Sequence, residues 1–352
     1  MKALRWYGMG DIRLEEVPEP SPGDGDVKIK VTWCGVCGGD VNSYELGSTT
    51  IPTKRPHPRT GKIAPITLGH EFSGDVAEIG KGVRDINVGD KVVIRPTLVC
   101  YKCYWCKKAQ YVQCSTLATI GLAADGGFAP YVIVPSDCVY RIPDKLSYEV
   151  ASFCEPLAVC LHACKRGGLN SGDTAAIIGA GPIGLLTLQA AKAVGATKIF
   201  VIEPLSNRRQ LAQELGATGT FDPGTVDVGK EIAKLTNGLR VDIAFECSGR
   251  LEGLPTALKV CQRGGRIVQV GLWRKPQEFP FPELWMREQS IITSQGYSDE
   301  FPIAIDFLTD GRVNVGPMIS AKIKLGDIIE KVFKELTSGR RANYIKILIS
   351  PE

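Results

Sequence analysis

The 352-residue chain contains only three histidines, His57, His70 and His162, so imidazole chemistry has few places to reside. It also lacks the second histidine of a zinc-protease helix. In Gly69-His70-Glu71-Phe72-Ser73-Gly74 the required position is held by Gly74, and the protease motif is incomplete. No basic tract runs longer than pairs such as Arg208-Arg209 and Arg340-Arg341, and 42 basic residues are nearly matched by 38 acidic ones, for a net charge of +4. A nucleic-acid partner is not expected from such a surface. Met1 is followed by a single lysine and Trp6-Tyr7-Gly8, without an apolar run leading to a small-residue cleavage site. No secretory signal is read there, and a cytoplasmic location is expected. The apolar stretch Thr174 to Val194 is interrupted by Gly179, Gly181, Pro182, Gly184, Gln189 and Lys192. That pattern fits a strand, a turn and a helix better than a membrane span. Internal repeats and low-complexity tracts are absent as well.

What is present is ample apolar material, 44% of residues, in a chain long enough for two packed domains. Twelve cysteines are many for such a chain, and four stand together: Cys100, Cys103 and Cys106 at three-residue intervals, then Cys114. Without a secretory signal, reduced thiolates around a tetrahedral zinc ion are favoured over disulfides. A closed four-thiolate shell leaves no position for substrate, so this ion is expected to shape a loop and perform no chemistry. Cys138, Cys160, Cys164, Cys247 and Cys261 read as small apolar packing residues.

His70 and Glu71 are both acceptable zinc ligands, and Gly69 and Gly74 allow a tight backbone path around them. A buried histidine satisfied by a neighbouring acid is the plain alternative. Upstream, Cys34-Gly35-Val36-Cys37 offers a redox pair or a further metal ligand. No thioredoxin-like unit surrounds it, which favours Cys37 as ligand. Alternation in Val27-Lys28-Ile29-Lys30-Val31, with short apolar runs at Val76 to Ile79 and Val92 to Ile94, predicts a small barrel-like β domain. Near residue 150 the pattern changes, and Glu155-Pro156 reads as a proline-marked bend entering a helix, with Glu155 just before it. A carboxylate in that apolar stretch needs a partner, a proton or a metal, so Glu155 is a candidate ligand, with helix capping as the alternative.

Thr174 to Ile178 is a short buried-strand pattern, followed at once by Gly179-Ala180-Gly181-Pro182-Ile183-Gly184 and a helical stretch to Val194. This is a dinucleotide-binding turn in its expected context: the glycines permit the turn and close approach of backbone to pyrophosphate. A second strand, Lys198 to Ile202, ends in Glu203, nineteen residues after Gly184, where an acid suits the ribose hydroxyls of NAD and opposes a 2′-phosphate. Arg208 and Arg209 weaken that preference slightly, or simply form a solvated helix face. Strand and helix alternation continues through Val241 to Gly249 and Gly264 to Gly271, as a doubly wound sheet requires. Phe301 to Leu308 and Ile328 to Leu336 then read as helices, and Tyr344 to Ile349 as a final strand.

Over essentially its whole length the chain resembles the zinc-dependent medium-chain dehydrogenases/reductases. The resemblance rests on Gly69-His70-Glu71 with Gly74, Gly80 and Val83, on the four-cysteine lobe, and on Gly179 to Gly184. Trp33 to Gly38, His57 to Gly61, Thr67 to Gly74 and Glu155 to Val159 are most similar to butanediol dehydrogenases, then to sorbitol-type polyol dehydrogenases. The resemblance implies a GroES-like catalytic domain over 1–154, a Rossmann NAD-binding domain over 155–296, and return of 297–352 to the first. It implies two zinc ions per chain: a structural one on Cys100, Cys103, Cys106 and Cys114, and a catalytic one on Cys37, His70 and a carboxylate, either Glu71 or Glu155. Asp40 then orients His70. The cofactor is expected against Gly179, Gly181, Pro182, Ile183, Gly184, Glu203 and Arg208, with Val270 and Leu272 also lining it.

The implied reaction interconverts a secondary alcohol or vicinal diol and its ketone by hydride transfer with NAD, in a homodimer or homotetramer. Polyol oxidation and carbonyl or imine reduction are the alternatives. One departure bears on that choice. Members of the family usually carry Ser or Thr two positions after the ligand cysteine and often His three further on, as a path for the alcohol proton. Here those places hold Gly39 and Asn42, neither of which relays a proton, so Glu71, Glu155 or water is the expected substitute. His57 reads as a loop residue and His162 as packing beside the cofactor.

Overall fold

Asp26–Gly35 is the spine of a seven-stranded sheet: it pairs with three neighbouring strands, and Val27, Lys28 and Ile29 are buried in succession rather than alternately. From one edge the sheet runs Val139–Arg141, Lys91–Ile94, Glu71–Ile79, Asp26–Gly35, Lys346–Ser350 and Ile319–Lys324, with Tyr131–Pro135 also paired to Asp26–Gly35. Val27, Ile29, Val31, Phe72, Val92, Ile94, Ile347 and Ile349 share one buried core there. The final strand pairs antiparallel with Asp26–Gly35, setting Leu348 against Gly35. A smaller sheet of Asp11–Glu16, Lys2–Gly8 and Ile66–Thr67 adjoins the same core. The structure, a computed structural model, describes residues 1–273, 278–338 and 344–352; the basic pair Arg340-Arg341 lies outside the described residues.

The chain divides into two units. One comprises Met1–Glu155, Phe301–Thr309 and Met318–Glu352; the other comprises Pro156–Glu300 and Asp310–Pro317. The second unit is built on six parallel strands, in the order Gly219–Phe221, Lys198–Ile202, Thr174–Ile178, Val241–Glu246, Cys261–Gln269 and Ser290–Thr293. Continuous apolar runs such as Thr174-Ala-Ala-Ile-Ile178 belong to strands covered on both faces, which explains why they do not alternate. The strand order reverses between Thr174–Ile178 and Val241–Glu246, the place where such sheets open a ligand crevice at their carboxyl ends. Among the described residues no helix is long and apolar enough to cross a membrane.

Two local expectations are corrected. Glu155 does not precede its helix; it lies in the first turn of Cys154–Arg166, with Pro156 beside it. Proline is tolerated there because first-turn amides have no partner within the helix. The stretch Ile328 to Leu336 buries the expected apolar face through Ile328, Val332, Phe333 and Leu336. It is not one α-helix, however, but a short turn at Leu325–Asp327, a π segment at Ile329–Lys334 and a last α turn at Glu335–Thr337.

Candidate metal centre and dinucleotide site

Cys37 follows the spine strand and caps the helix Gly38–Leu46. Its sulfur accepts from the Gly39 amide at 3.3 Å, and its own amide donates to Asp40 Oδ2 at 3.0 Å, which fixes both side chains at the helix start. His70 is brought alongside by Gly69, whose φ of +96° favours glycine and where a Cβ would lie 2.8 Å from both Cys34 Sγ and Phe128 N. The Cys37 sulfur, a His70 ring nitrogen and a Glu71 carboxylate oxygen all lie within 4.8 Å of one another. One thiolate, one imidazole and one carboxylate form a donor set that zinc accepts. His70 Nδ1 and Asp40 Oδ1 face each other at 3.6 Å, both buried and neither atom in a hydrogen bond, in the arrangement by which an acid orients a metal-bound imidazole. Burial opposes a charge on His70, but Asp40, Cys37 and Glu155 outweigh it and raise its pKa well above the ordinary value. Burial likewise raises Asp40, against the opposing pull of His70. Asp40, Cys37 and Glu155 thus surround His70 with groups that favour a positive charge there, as a cation site needs.

Lys346 is the residue that sequence reasoning missed. It lies in the final strand, 2% exposed, and its ammonium donates to Glu71 Oε2 and, at 3.2 Å, to the Val36 carbonyl. Space for the pair exists because position 35 is glycine: a Cβ there would sit 2.3 Å from Glu71 Oε2 and 2.9 Å from Lys346 Cε. The only signal in the sequence was one lysine inside the apolar run Tyr344 to Ile349. Glu155 is half-buried and stands near the same groups. Burial pushes its pKa up to about 7; His70 pulls it down and Glu71 pushes it further up.

The sulfurs of Cys100, Cys103, Cys106 and Cys114 also gather within 4.8 Å of one another. Backbone amides are aimed at them: Cys103 N–H donates to Cys100 Sγ and Cys100 N–H to Cys114 Sγ, both at 3.3 Å. Amides of Cys106 and Ser115 lower the Cys103 thiol to about 6, whereas burial raises Cys106 to about 12. Four sulfurs and thiolate-stabilising amides fit a structural zinc ion.

In the second unit Gly179 takes φ +95° and would, with a Cβ, meet Ser248 at 3.0 Å. A Cβ on Gly184 would lie 1.9 Å from the Gly179 carbonyl, so the helix packs directly on the turn. Gly181 caps the helix Pro182–Val194, and Gly181, Pro182 and Ile183 keep partial exposure at its positive end. Glu203 is buried, and its oxygens accept from the amides of Ala180 at 2.8 Å and Leu205 at 3.0 Å. The acid therefore braces the glycine turn itself. Arg209 is committed to the carbonyls of Glu203 and Pro204, both at 2.7 Å, and to Asp222 at 3.2 Å. Arg208 Nη1 lies 4.0 Å from where a Gly181 Cβ would be. Val270 follows the strand Cys261–Gln269 and is half-buried, and Leu272 is 73% exposed. His57 accepts from the Arg59 amide at 3.2 Å in its loop. His162 does more than pack: its Nδ1 is 2.9 Å from Glu300 Oε1, with both residues buried.

Residues 23–144 match the alcohol dehydrogenase GroES-like domain, and residues 182–310 match the zinc-binding dehydrogenase family. The (R,R)-butanediol dehydrogenase of Bacillus subtilis is 40% identical over 352 residues, covering 100% of both chains. A sorbitol dehydrogenase of Halalkalibacterium halodurans is 35% identical, covering 100% of this chain and 99% of that protein. The crystal structure of the Bacillus subtilis 2R,3R-butanediol dehydrogenase superposes with a TM-score of 0.92, over 100% of this chain and 99% of the other. A zinc-binding dehydrogenase from Sinorhizobium meliloti, solved bound to NADP, is 34% identical with a TM-score of 0.89, covering 99% of each chain. With a GroES-like unit, a parallel dinucleotide sheet and full-length relatives of this kind, the chain belongs to the zinc-dependent alcohol dehydrogenase family of medium-chain dehydrogenases/reductases.

Proposed function

We propose that the chain is an NAD-dependent oxidoreductase that interconverts a secondary alcohol or vicinal diol and its ketone, with a 2,3-butanediol-like substrate favoured. The observation that carries this reading is the convergence of Cys37, His70 and Glu71, with Glu155 close enough to feel the charges of His70 and Glu71. Cys37 and His70 would hold a zinc ion with Glu71 or Glu155, and a second ion would sit on Cys100, Cys103, Cys106 and Cys114. When bound, the first ion supplies a Lewis acid that lowers the pKa of a hydroxyl or polarises a carbonyl. The chain's own groups do the rest. Asp40 steadies the His70 ring. Lys346 holds one oxygen of Glu71, and Glu155 is the acid free of such an ion pair that accepts a proton or a second substrate hydroxyl. Glu203, with Arg209 turned away to Asp222, supports NAD over NADP. Catalytic segments 1–154 and 297–352, a nucleotide domain over 155–296, a homodimer or homotetramer and a cytoplasmic location complete the proposal.

Reduction of a carbonyl or imine is favoured as a second reading by one observation. A Cβ on Gly39 would meet only Cys37 Sγ, at 3.6 Å, so the proton-relay position is open space. The deciding experiment follows NADH formation from butanediol stereoisomers, sorbitol and simple secondary alcohols, with metal counting. Chelator-sensitive turnover of a diol and two zinc ions per chain support the first reading. Binding of NADH without oxidation of any alcohol moves the reductase ahead.

A further inference from the structure

Glu246 ends the strand Val241–Glu246 and is 0% exposed, yet its partners are all neutral. Oε1 accepts from the amide of Ser248 at 2.8 Å, from the Ser248 hydroxyl, and from the amide of Gly249 at 3.1 Å. Oε2 accepts from the Gly249 amide at 3.2 Å and from Gln269 Nε2 at 2.6 Å. Gln269 spends its amide on Glu246 and the Gly271 carbonyl, which leaves its Oε1 without a partner. No Lys, Arg or His forms an ion pair with this carboxylate among the described residues, in contrast to Glu71 with Lys346 and Glu300 with His162. The start of the helix Gly253–Val260 abuts it, since a Gly253 Cβ would lie 2.3 Å from Oε1, and contributes at most about half a positive charge. A buried carboxylate without a counter-ion needs both oxygens hydrogen-bonded, and Glu246 has that from neutral donors alone.

The position of Glu246 in the sheet says what that charge faces. Its strand neighbours are Ile178, just before the glycine turn, and Gln269. The Cys247 amide donates to the Ile178 carbonyl, and the Val270 and Gly271 amides donate to the Glu246 carbonyl. Ser248 in turn lies against Gly179. If pyrophosphate binds at Gly179 to Gly184 and the adenosine ribose at Glu203 on the neighbouring strand, the other half of a dinucleotide must run the opposite way. That way leads over the ends of Val241–Glu246 and Cys261–Gln269. The oxidised nicotinamide ring is a cation and the reduced ring is neutral. We infer that Glu246 is a positioning and electrostatic residue of the cofactor site, a fixed anion that favours the oxidised nicotinamide over the reduced one. This rests on reading Gly179 to Gly184 as the dinucleotide turn.

The test measures dissociation constants of the holoenzyme for NAD⁺, NADH and ADP-ribose by fluorescence and calorimetry. Glu246→Gln is expected to weaken NAD⁺ relative to NADH by about fivefold or more, while ADP-ribose, which lacks the ring, is unmoved relative to NADH. Ser248→Ala loosens the same loop but keeps the charge, so it should move all three constants together. If Glu246→Gln does not fold, the exchange Glu246→Gln with Gln269→Glu restores one carboxylate and one amide, and the ratio should return toward wild type. Equal weakening of NAD⁺ and NADH in Glu246→Gln, or a lost ratio despite the restored charge, overturns the inference. Failure of wild type to bind any of the three removes the dinucleotide reading itself, a separate outcome.

Discussion

Replacing Lys346 by methionine removes one partner of a pair in which both side chains are 2% exposed. Glu71 would then be left beside Asp40 and Glu155, two further acids, without its cation. Breaking a buried pair from one side costs roughly 3–5 kcal/mol, because the remaining charge stays desolvated. In a unit of this size each kcal/mol moves the melting temperature by about 2–4 °C, so Lys346→Met should lower it by on the order of 10 °C. Glu71→Gln leaves the buried ammonium instead and should cost a similar amount. The double substitution removes both charges and is expected to recover most of the loss, giving a large coupling energy in the cycle. The same variant has a second readout. Released from Lys346, Glu71 is free to turn wholly toward Cys37 and His70, so zinc should leave Lys346→Met more slowly under chelator while diol turnover falls. Additive single losses, or a change in melting below about 3 °C, would refute the reasoning that this pair is a strongly coupled part of the metal pocket.

Four further outcomes are expected. Gly39→Ser fits the open space beside Cys37 and should raise alcohol oxidation by about tenfold if a missing relay limits turnover; an unchanged kcat would show that protons leave elsewhere. Gly184→Ala drives a methyl group to 1.9 Å from the Gly179 carbonyl and should abolish NADH binding in a fluorescence titration while leaving the zinc content intact. Glu300 has a pKa lowered to about 2: burial opposes this, and the hydrogen bonds from His162 and Ser298 N–H outweigh it. Its stabilisation is therefore present above the ordinary value of 4.5 and lost as pH falls toward about 2, and Glu300→Gln should flatten the melting-temperature profile over that window. Cys103→Ala should lower the zinc content by one ion per chain and reduce thermal stability with far less effect on KM for substrate, which metal analysis alongside kinetics would check.

The parts legible in the sequence were those in which neighbouring residues carry the whole signal. Gly179 to Gly184 is a local backbone device whose strand and helix flank it directly, and Cys100 to Cys114 gathers its four sulfurs within one loop. The alternation of residue types from Val27 to Val31 marks the spine strand but not its burial, because Lys28 is buried between Val27 and Ile29 with its ammonium on Glu19 and Glu78. Lys346 was not legible because its meaning depends on a pairing across 275 residues, and nothing near it in the chain marks the partner. Glu246 was hidden for a related reason: its donors come from the loop that follows it and from the next strand, and a glutamate at a strand end reads as an exposed terminus. The position of Glu155 within its helix, rather than before it, shows the opposite error, in which Pro156 was read as a boundary although a first helical turn accommodates it.

The two carboxylates beside His70 differ in a way that bears on which one meets the substrate. Glu71 follows His70 directly at the start of a strand, so its backbone is fixed by pairing Glu71 with Gly35, and its side chain is tied to the final strand through Lys346. Glu155 comes from the first turn of a helix, is half-buried, and has a pKa of about 7. An acid whose backbone is fixed beside Cys37 and His70 suits holding a metal in place, with Lys346 taking up part of its charge. An acid that can gain and lose a proton near neutrality suits exchange with a hydroxyl. The two roles therefore divide by the elements that carry the groups, and the lysine in the last strand is what makes the division possible. On that account Glu155→Gln should lower kcat for the diol far more than it lowers metal affinity, and Glu71→Gln should do the reverse; equal effects in both measurements would show that the two acids share one role.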